Sequence, residues 1–226
     1  MIKSKQRGSL IIISGFSGAG KGTVVNSMLK NDSNRVLSIS YTTRKMRPGE
    51  TDGKEYHFIS KEEFESKIEN DQIFEYNMYD ENYYGTPKDI TEELLSKGHD
   101  VILEIEVNGA KIVKEMLPET ILVFILPPSM QELKTRLKKR GTNSNEQLIR
   151  RFETAYREIN EINKYNYVVV NDNLDDAVKK VEAILISEKC RVDRIEEISV
   201  ENKEEIIHEF LMGGDFDNTV KKITEA

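Results

Sequence analysis

The residues Gly15-Phe16-Ser17-Gly18-Ala19-Gly20-Lys21 carry the clearest chemistry in the chain. They fit the first seven positions of G-x-x-x-x-G-K-[ST], a loop whose glycines let successive backbone amides point into one concavity. Where such a loop opens a helix, the helix N-terminus adds positive potential, and Lys21 supplies a point charge for the β and γ phosphates of a nucleotide. The eighth position departs from the pattern: Gly22 stands there, and the hydroxyl is displaced to Thr23. A plainer alternative is a glycine-rich turn that binds nothing. The flanks oppose it, because the apolar run Leu10 to Ile13 reads as a strand before the loop and Thr23 to Lys30 as a helix after it. By itself the loop specifies a nucleotide phosphate and says nothing of what the phosphate is transferred to.

Other reactive side chains are ambiguous when taken alone. Arg44 and Arg47 before Pro48-Gly49 would ordinarily be a solvated surface pair, and Glu75 an exposed carboxylate at a strand edge. His57, His99 and His208 stand in unrelated contexts, which gives no support to a metal cluster or a catalytic triad. Cys190 is the only cysteine, so an intramolecular disulfide and a Cys-only metal cage are excluded, and a reducing cytoplasm is the natural location.

The elements that must hold these residues follow from hydrophobic pattern. Apolar runs at Val101 to Leu103, Ile121 to Leu126 and Tyr167 to Val170 repeat the character of Leu10 to Ile13, each with a plausible helix behind it. Strands apolar on both faces that alternate with helices predict a parallel sheet covered on both sides. Ser60 with Glu63, Ser129 with Glu132 and Ser144 with Gln147 fit the capping box of a helix start. Between Ser40 and Gly85 the pattern changes to short alternating pieces, Tyr56 to Ile59 and Phe74 to Tyr79, around one helix, which predicts a small mixed lobe inserted into the parallel domain. Glu132 to Arg151 reads as a basic helical hairpin, and Phe124, Phe152 and Tyr156 as core or lid packing.

The segment Ser38 to Glu50 has the form S-x-S-x-T-T-R-x-x-R-P-G-E, followed by Gly53-x-x-Tyr56-x-Phe58, Asn82-Tyr83-Tyr84-Gly85-Thr86, Leu103-Glu104-Ile105-Glu106, Gly109-Ala110, Ile125 to Ser129, Arg140-Gly141 and Val170-Asn171-Asp172. Running collinearly from about Leu10 to Ser187, this set closely resembles guanylate kinase. The resemblance implies an α/β fold of nucleoside monophosphate kinase type: a P-loop parallel sheet flanked by helices, with an inserted α+β GMP-binding lobe and a helical lid. Within a kinase-like domain at 1–190, the core would be 8–39 and 86–187, the lobe 40–85 and the lid 130–151. It implies transfer of the γ-phosphoryl group of ATP to GMP, with Mg²⁺ accompanying ATP. On the ATP side stand Gly15, Phe16, Ser17, Gly18, Ala19, Gly20, Lys21, Gly22, Thr23 and Asn171. Thr23 would be the hydroxyl nearest Mg²⁺, since GKGT recurs among nucleoside monophosphate kinases. On the GMP side, Arg44, Arg47, Tyr56 and Tyr84 match the positions that hold the phosphate. Glu75 matches the guanine-binding carboxylate, Ser40 and Thr86 the hydroxyls facing O6, and Glu106 the acid supporting the base from the opposite side. The catalytic set implied is Lys21, Arg44, Arg136, Arg140 and Arg151. Two positions depart from other members while keeping the functional group: Thr86 replaces a Ser, and Glu104-x-Glu106 replaces Asp-x-Asp. A non-catalytic guanylate-kinase-like binding module and a P-loop kinase for another small phosphorylated acceptor remain as alternatives.

At 226 residues and 26.0 kDa the chain is the size of one large domain, or of one domain with an insertion and a tail. Thirty-three basic and 40 acidic residues give a net charge of -7, which opposes a protein whose surface grips nucleic acid or anionic lipid. No apolar run approaches the roughly 20 residues that span a bilayer. The resemblance implies ATP and GMP as small-molecule partners, neither nucleic acid nor membrane is expected, and monomer and homo-oligomer are both open. An extension at 191–226 holds ten acids and five bases, so five of the seven excess negative charges lie there. Ile206, Ile207, Phe210 and Leu211 would form one stripe of a helix ending at Gly213-Gly214, making the extension partly helical.

Overall fold

The structure is a computed structural model that describes residues 2–3, 7–139, 145–194 and 197–198. Along the chain come β1 (Ile2–Lys3), β2 (Leu10–Gly15), α1 (Lys21–Asn31), β3 (Arg35–Leu37), β4 (Tyr41–Thr42), β5 (His57–Phe58) and α2 (Lys61–Glu69). Next are β6 (Ile73–Tyr79), β7 (Asn82–Pro87), α3 (Lys88–Ser96), β8 (Asp100–Leu103) and α4 (Val107–Met116). The last are β9 (Ile121–Leu126), α5 (Met130–Lys139), α6 (Asn145–Ile159), β10 (Tyr167–Val170), α7 (Leu174–Lys189) and β11 (Glu197–Ile198).

Five strands form a wholly parallel sheet in the order β10-β9-β2-β8-β3. The alternation within β2 shows why both of its faces are apolar. Ile11 and Ile13 pack with Val24, Met28, Val178 and Val181 of α1 and α7. Leu10 and Ile12 pack with Leu95, Ala110 and Val113 of α3 and α4 on the other side. The parallel sheet flanked by helices is thus the one expected from sequence. One correction applies at the edge: Val169 is buried, but Val168 and Val170 are 46% and 41% exposed, so β10 is covered on one face only.

Residues 40–87 form a second, four-stranded sheet in the order β5-β4-β7-β6, with α2 against it. Its own small core joins Tyr41, Phe64 and Ile73. Strands β6 and β7 make a hairpin closed by Asp80 and Glu81, both with positive φ, the geometry of a tight primed turn. Their register sets Glu75 opposite Thr86. The Ser60 and Ser129 hydroxyls accept hydrogen bonds from the backbone N–H of Glu63 and Glu132, as the capping pattern anticipated.

The basic hairpin appears as α5 and α6, the second helix continuing past Arg151 to Ile159. Leu133 and Leu137 of α5 and Ala155 of α6 are buried in the main core. Tyr156 corrects the packing expectation, being 73% exposed. Arg140, Ser144 and the stripe at Ile206, Ile207, Phe210 and Leu211 lie outside the described residues.

The chain divides into two compact units, Gln6–Ile186 and a smaller one made from Met1–Lys5 with Ser187–Ala226. In the smaller unit β1 pairs antiparallel with β11, and Arg194 Nη2 meets the buried Glu188 Oε2 at 3.1 Å. Among the described residues, no helix is long and apolar enough to cross a membrane.

Candidate active site

The phosphate loop leaves the C-terminal end of the central strand, where open parallel sheets place their ligands. Gly20 has φ +94, and a Cβ there would lie 2.4 Å from Asn171 Nδ2. Only glycine therefore lets the chain turn into α1 beside Asn171. Asn171 Nδ2 in turn donates to the Ala19 carbonyl at 2.8 Å. Lys21 Nζ donates back to the Gly15 carbonyl at 2.6 Å and to that of Phe16 at 3.4 Å, so the ammonium lies across the loop. From the helical hairpin, Arg136 reaches the Ala19 carbonyl (3.4 Å) and the Asn171 carbonyl (3.2 Å), and Arg151 donates to Ser17 Oγ at 3.0 Å. Both guanidiniums are thus brought to the loop.

The four-stranded lobe gathers a second group. Arg44 donates through Nη2 and Nη1 to Glu50 Oε1 and Oε2 at 2.8 and 2.9 Å, with its guanidinium 5.5 Å from the Tyr56 and Phe58 rings. The Tyr56 and Tyr84 rings meet edge-on at 5.7 Å. Arg47 is exposed, its backbone N–H donating to Glu50 Oε2. Hydrogen bonds from Arg44 and from the Arg47 backbone hold the Glu50 carboxyl below the usual carboxylate range. Deeper in, Thr86 Oγ1 donates to Glu75 Oε1 at 2.5 Å. Burial pushes the Glu75 carboxyl up, and the nearby Glu106 charge adds to the rise, while the Thr86 hydrogen bond opposes it. Gly109 on α4 makes room for that carboxylate: a Cβ there would meet Glu75 Cδ and Oε2 at 3.0 Å.

Members of the loop and of the lobe line adjoining cavities. A cavity of about 740 Å³ is lined by Lys21, Ser40, Tyr56, Glu75, Tyr84 and Glu106, among others. A second, of about 310 Å³, is lined by Ser17, Gly18, Gly20, Gly22 and Thr23 together with Asn26. Lys21 and Glu104 line both, so the two cavities meet at the phosphate-loop lysine. Arg44, Arg47 and Thr86 are not on the wall of the larger one; Thr86 is buried behind Glu75.

A family model described as guanylate kinase matches residues 7–188. The chain belongs to the guanylate kinase family. It is 53% identical over 210 residues to a guanylate kinase of Clostridium perfringens, covering 93% of this chain and 97% of that one. It is 55% identical over 206 residues to a guanylate kinase of Clostridium tetani, covering 91% and 99%. Among solved structures, the guanylate kinase from Anaplasma phagocytophilum superposes with a TM-score of 0.66 at 33% identity, over 86% of this chain and 92% of that one.

Within the guanylate kinase site, two carboxylates escaped the sequence reading. Glu50 closes the R-x-x-R-P-G-E motif, where its place in the pattern was a signal but its contacts were not. Glu158 of α6 lies outside any motif, and only the folded hairpin sets it near Lys21 and Glu106. Burial raises its carboxyl, Lys21 opposes the rise and Glu106 adds to it. Cys190 is exposed, and no group of three potential metal ligands of the His, Cys, Asp and Glu type occurs among the described residues.

Proposed function

We infer that the chain is an ATP:GMP phosphotransferase, moving the γ-phosphoryl group of ATP to GMP to give ADP and GDP. The observation that carries this reading is Glu75, aimed by Thr86 into the same cavity that ends on Lys21. Guanine offers N1–H and N2–H₂ as adjacent donors on one edge, which a carboxylate accepts together. Adenine turns an acceptor at N1 toward the same oxygens. A buried carboxylate left unpaired against the wrong base costs about 1–3 kcal/mol or more, enough for strong discrimination. Ser40 stands on the same wall for O6, Thr86 fixes the carboxylate by donating a hydrogen bond to it, and Glu106 supports the base from the far side.

The acceptor phosphate is held by Arg44, Arg47, Tyr56 and Tyr84 through charge-assisted hydrogen bonds. Its second pKa is about 6, so a dianionic oxygen is already a competent nucleophile at neutral pH and no general base is needed. That oxygen attacks the γ phosphorus as the bond to the β–γ bridging oxygen breaks, and ADP leaves with the electron pair. Catalysis then rests on alignment and on neutralising charge over the transferred group. Lys21 and the amides of residues 15–23 do this from the donor side, with Asn171 bracing the loop; Arg136 and Arg151 do so from the hairpin, and the resemblance adds Arg140 to them. Mg²⁺ fits the hard oxygens beside Lys21, because the Thr23 hydroxyl and the Glu104 carboxylate line the smaller cavity together. Bound with ATP, the ion would supply charge neutralisation during the transfer.

The non-catalytic module and the kinase for another acceptor are not favoured, since Lys21, the loop glycines and the set Arg44, Arg47, Tyr56, Glu75 and Tyr84 are all present. A reducing cytoplasm suits the exposed Cys190. Chromatography of a reaction containing ATP, GMP and Mg²⁺ tests the reading: ADP and GDP are expected in equal amounts. ADP formed without GDP would mean hydrolysis and would overturn it.

A further inference from the structure

Glu50 has no part in the reaction as derived above, yet its side chain accepts three hydrogen bonds in the acceptor lobe. Its two oxygens take Arg44 Nη2 and Nη1 side by side, and Oε2 also accepts the Arg47 backbone N–H at 2.7 Å. Its own backbone N–H donates to the Arg47 carbonyl at 3.1 Å. The segment Arg47-Pro48-Gly49-Glu50 is thus closed both by a main-chain bond and by the Glu50 side chain folding back over it. Pro48 fixes one φ of the turn and Gly49 supplies the positive one, +90.

We propose that Glu50 is the positioning residue of the acceptor-phosphate grip: it selects the edge of the Arg44 guanidinium offered to a phosphate and locks the Arg47 turn beside it. The donor inventory gives the reason. A guanidinium has five N–H groups. Two go to Glu50, and the second on Nη1 goes to the Lys45 carbonyl at 2.8 Å. Those not taken by Glu50 or Lys45 are Nε–H and one Nη2–H, which lie parallel along a single edge, the geometry that receives two oxygens of a phosphate, and Tyr84, itself assigned to that phosphate, also interacts with the guanidinium. The Tyr56 and Phe58 rings, each 5.5 Å from the guanidinium carbon, confine it further. A carboxylate this close weakens the attraction of Arg44 for an anion, so its contribution is pre-organisation rather than charge. The same ion pair draws the Glu50 carboxyl down and keeps it ionised through the working pH range.

The proposal rests on the GMP kinase reading, and its test separates the two. Glu50→Gln keeps the shape, removes the charge and turns an N–H toward the guanidinium. KM for GMP is expected to rise about tenfold or more while KM for ATP stays within about twofold. Binding of guanosine, which lacks the phosphate, is expected to stay within about twofold of the unaltered enzyme by competition calorimetry. In an Arg44→Ala background the added Glu50→Gln should shift GMP affinity less than about threefold, because the residue acts largely through Arg44. An unchanged KM for GMP, or guanosine weakened as much as GMP, would overturn the proposal; the second result would mean a general loosening of the lobe. Should Gln at position 50 unfold the lobe, Glu50→Asp, which keeps the charge and shortens the reach, reads the same ratio of GMP to guanosine binding. Unaltered enzyme that forms no GDP would refute the functional reading, and the binding ratio would still report on Glu50.

Discussion

Glu75 combines the two demands that conflict in a buried recognition carboxylate. Burial holds its proton more tightly in the folded chain than the usual value of 4.5 allows, and Glu106 adds to this. The folded pKa lies above the unfolded one, so the group's favourable contribution to folding is complete below about 4.5 and is lost as pH rises through the folded value. Glu75→Gln cannot ionise. It is expected to raise the thermal midpoint at pH 8 and to leave it nearly unchanged at pH 4, measured by melting in parallel buffers. A lowered midpoint at pH 8 would contradict the burial argument. The same change should relax the preference for GMP over AMP by about tenfold or more, because an amide presents only one acceptor to the guanine edge. Lys21→Ala is expected to slow phosphoryl transfer by about 100-fold, or about 2.7 kcal/mol in barrier. A rate within about twofold, or about 0.4 kcal/mol, would remove Lys21 from its assigned role.

The elements matter through how closely they approach. Helix α4 carries Gly109 against Glu75, and an alanine there would press its Cβ on the end of a flexible carboxylate rather than on backbone. Gly109→Ala should therefore cost little stability, with the melting midpoint shifted by no more than about 2 °C. KM for GMP is expected to rise at least about fivefold with KM for ATP unchanged, which steady-state kinetics on each substrate would check. Equal increases in both would mean that α4 itself had moved. The same scale shows what was legible in the sequence. Strands β9 and β10 run as their apolar runs indicate, and the Ser60 and Ser129 caps stand where the capping pattern puts them. Strand β7 carries the Asn82 to Thr86 motif but no strand signal, since Asp80-Glu81 lacks the Asn-Gly or Asp-Gly signature of a tight hairpin. Strand β3 is only three residues long and begins with a charged Arg35, so it carries no periodic signal. The exposed face of β10 follows from its place at the sheet edge, which a run of valines does not encode. At the site, the loop and the lobe were readable as separate motifs, but their meeting at Lys21 and Glu104 depends on the chain crossing from β2 to β8.

On the scale of the whole molecule, the net charge of -7 divides unevenly. The extension at 191–226 carries five of those negative charges, and the family match ends at residue 188. Every residue assigned to the reaction lies between Gly15 and Asn171. A chain ending at Arg194 is accordingly expected to keep KM for both substrates within about twofold, measured beside the full chain; a larger change would give the extension a part in the site. Two nucleotides meeting across Lys21, one of them chosen by Glu75, is the claim on which the rest depends. Its most direct measurement is kcat/KM with ATP and each of GMP, AMP, UMP and CMP in a coupled ADP-release assay. GMP is expected to exceed each of the others by at least about 100-fold. Equal turnover of AMP, or none with GMP, would contradict it.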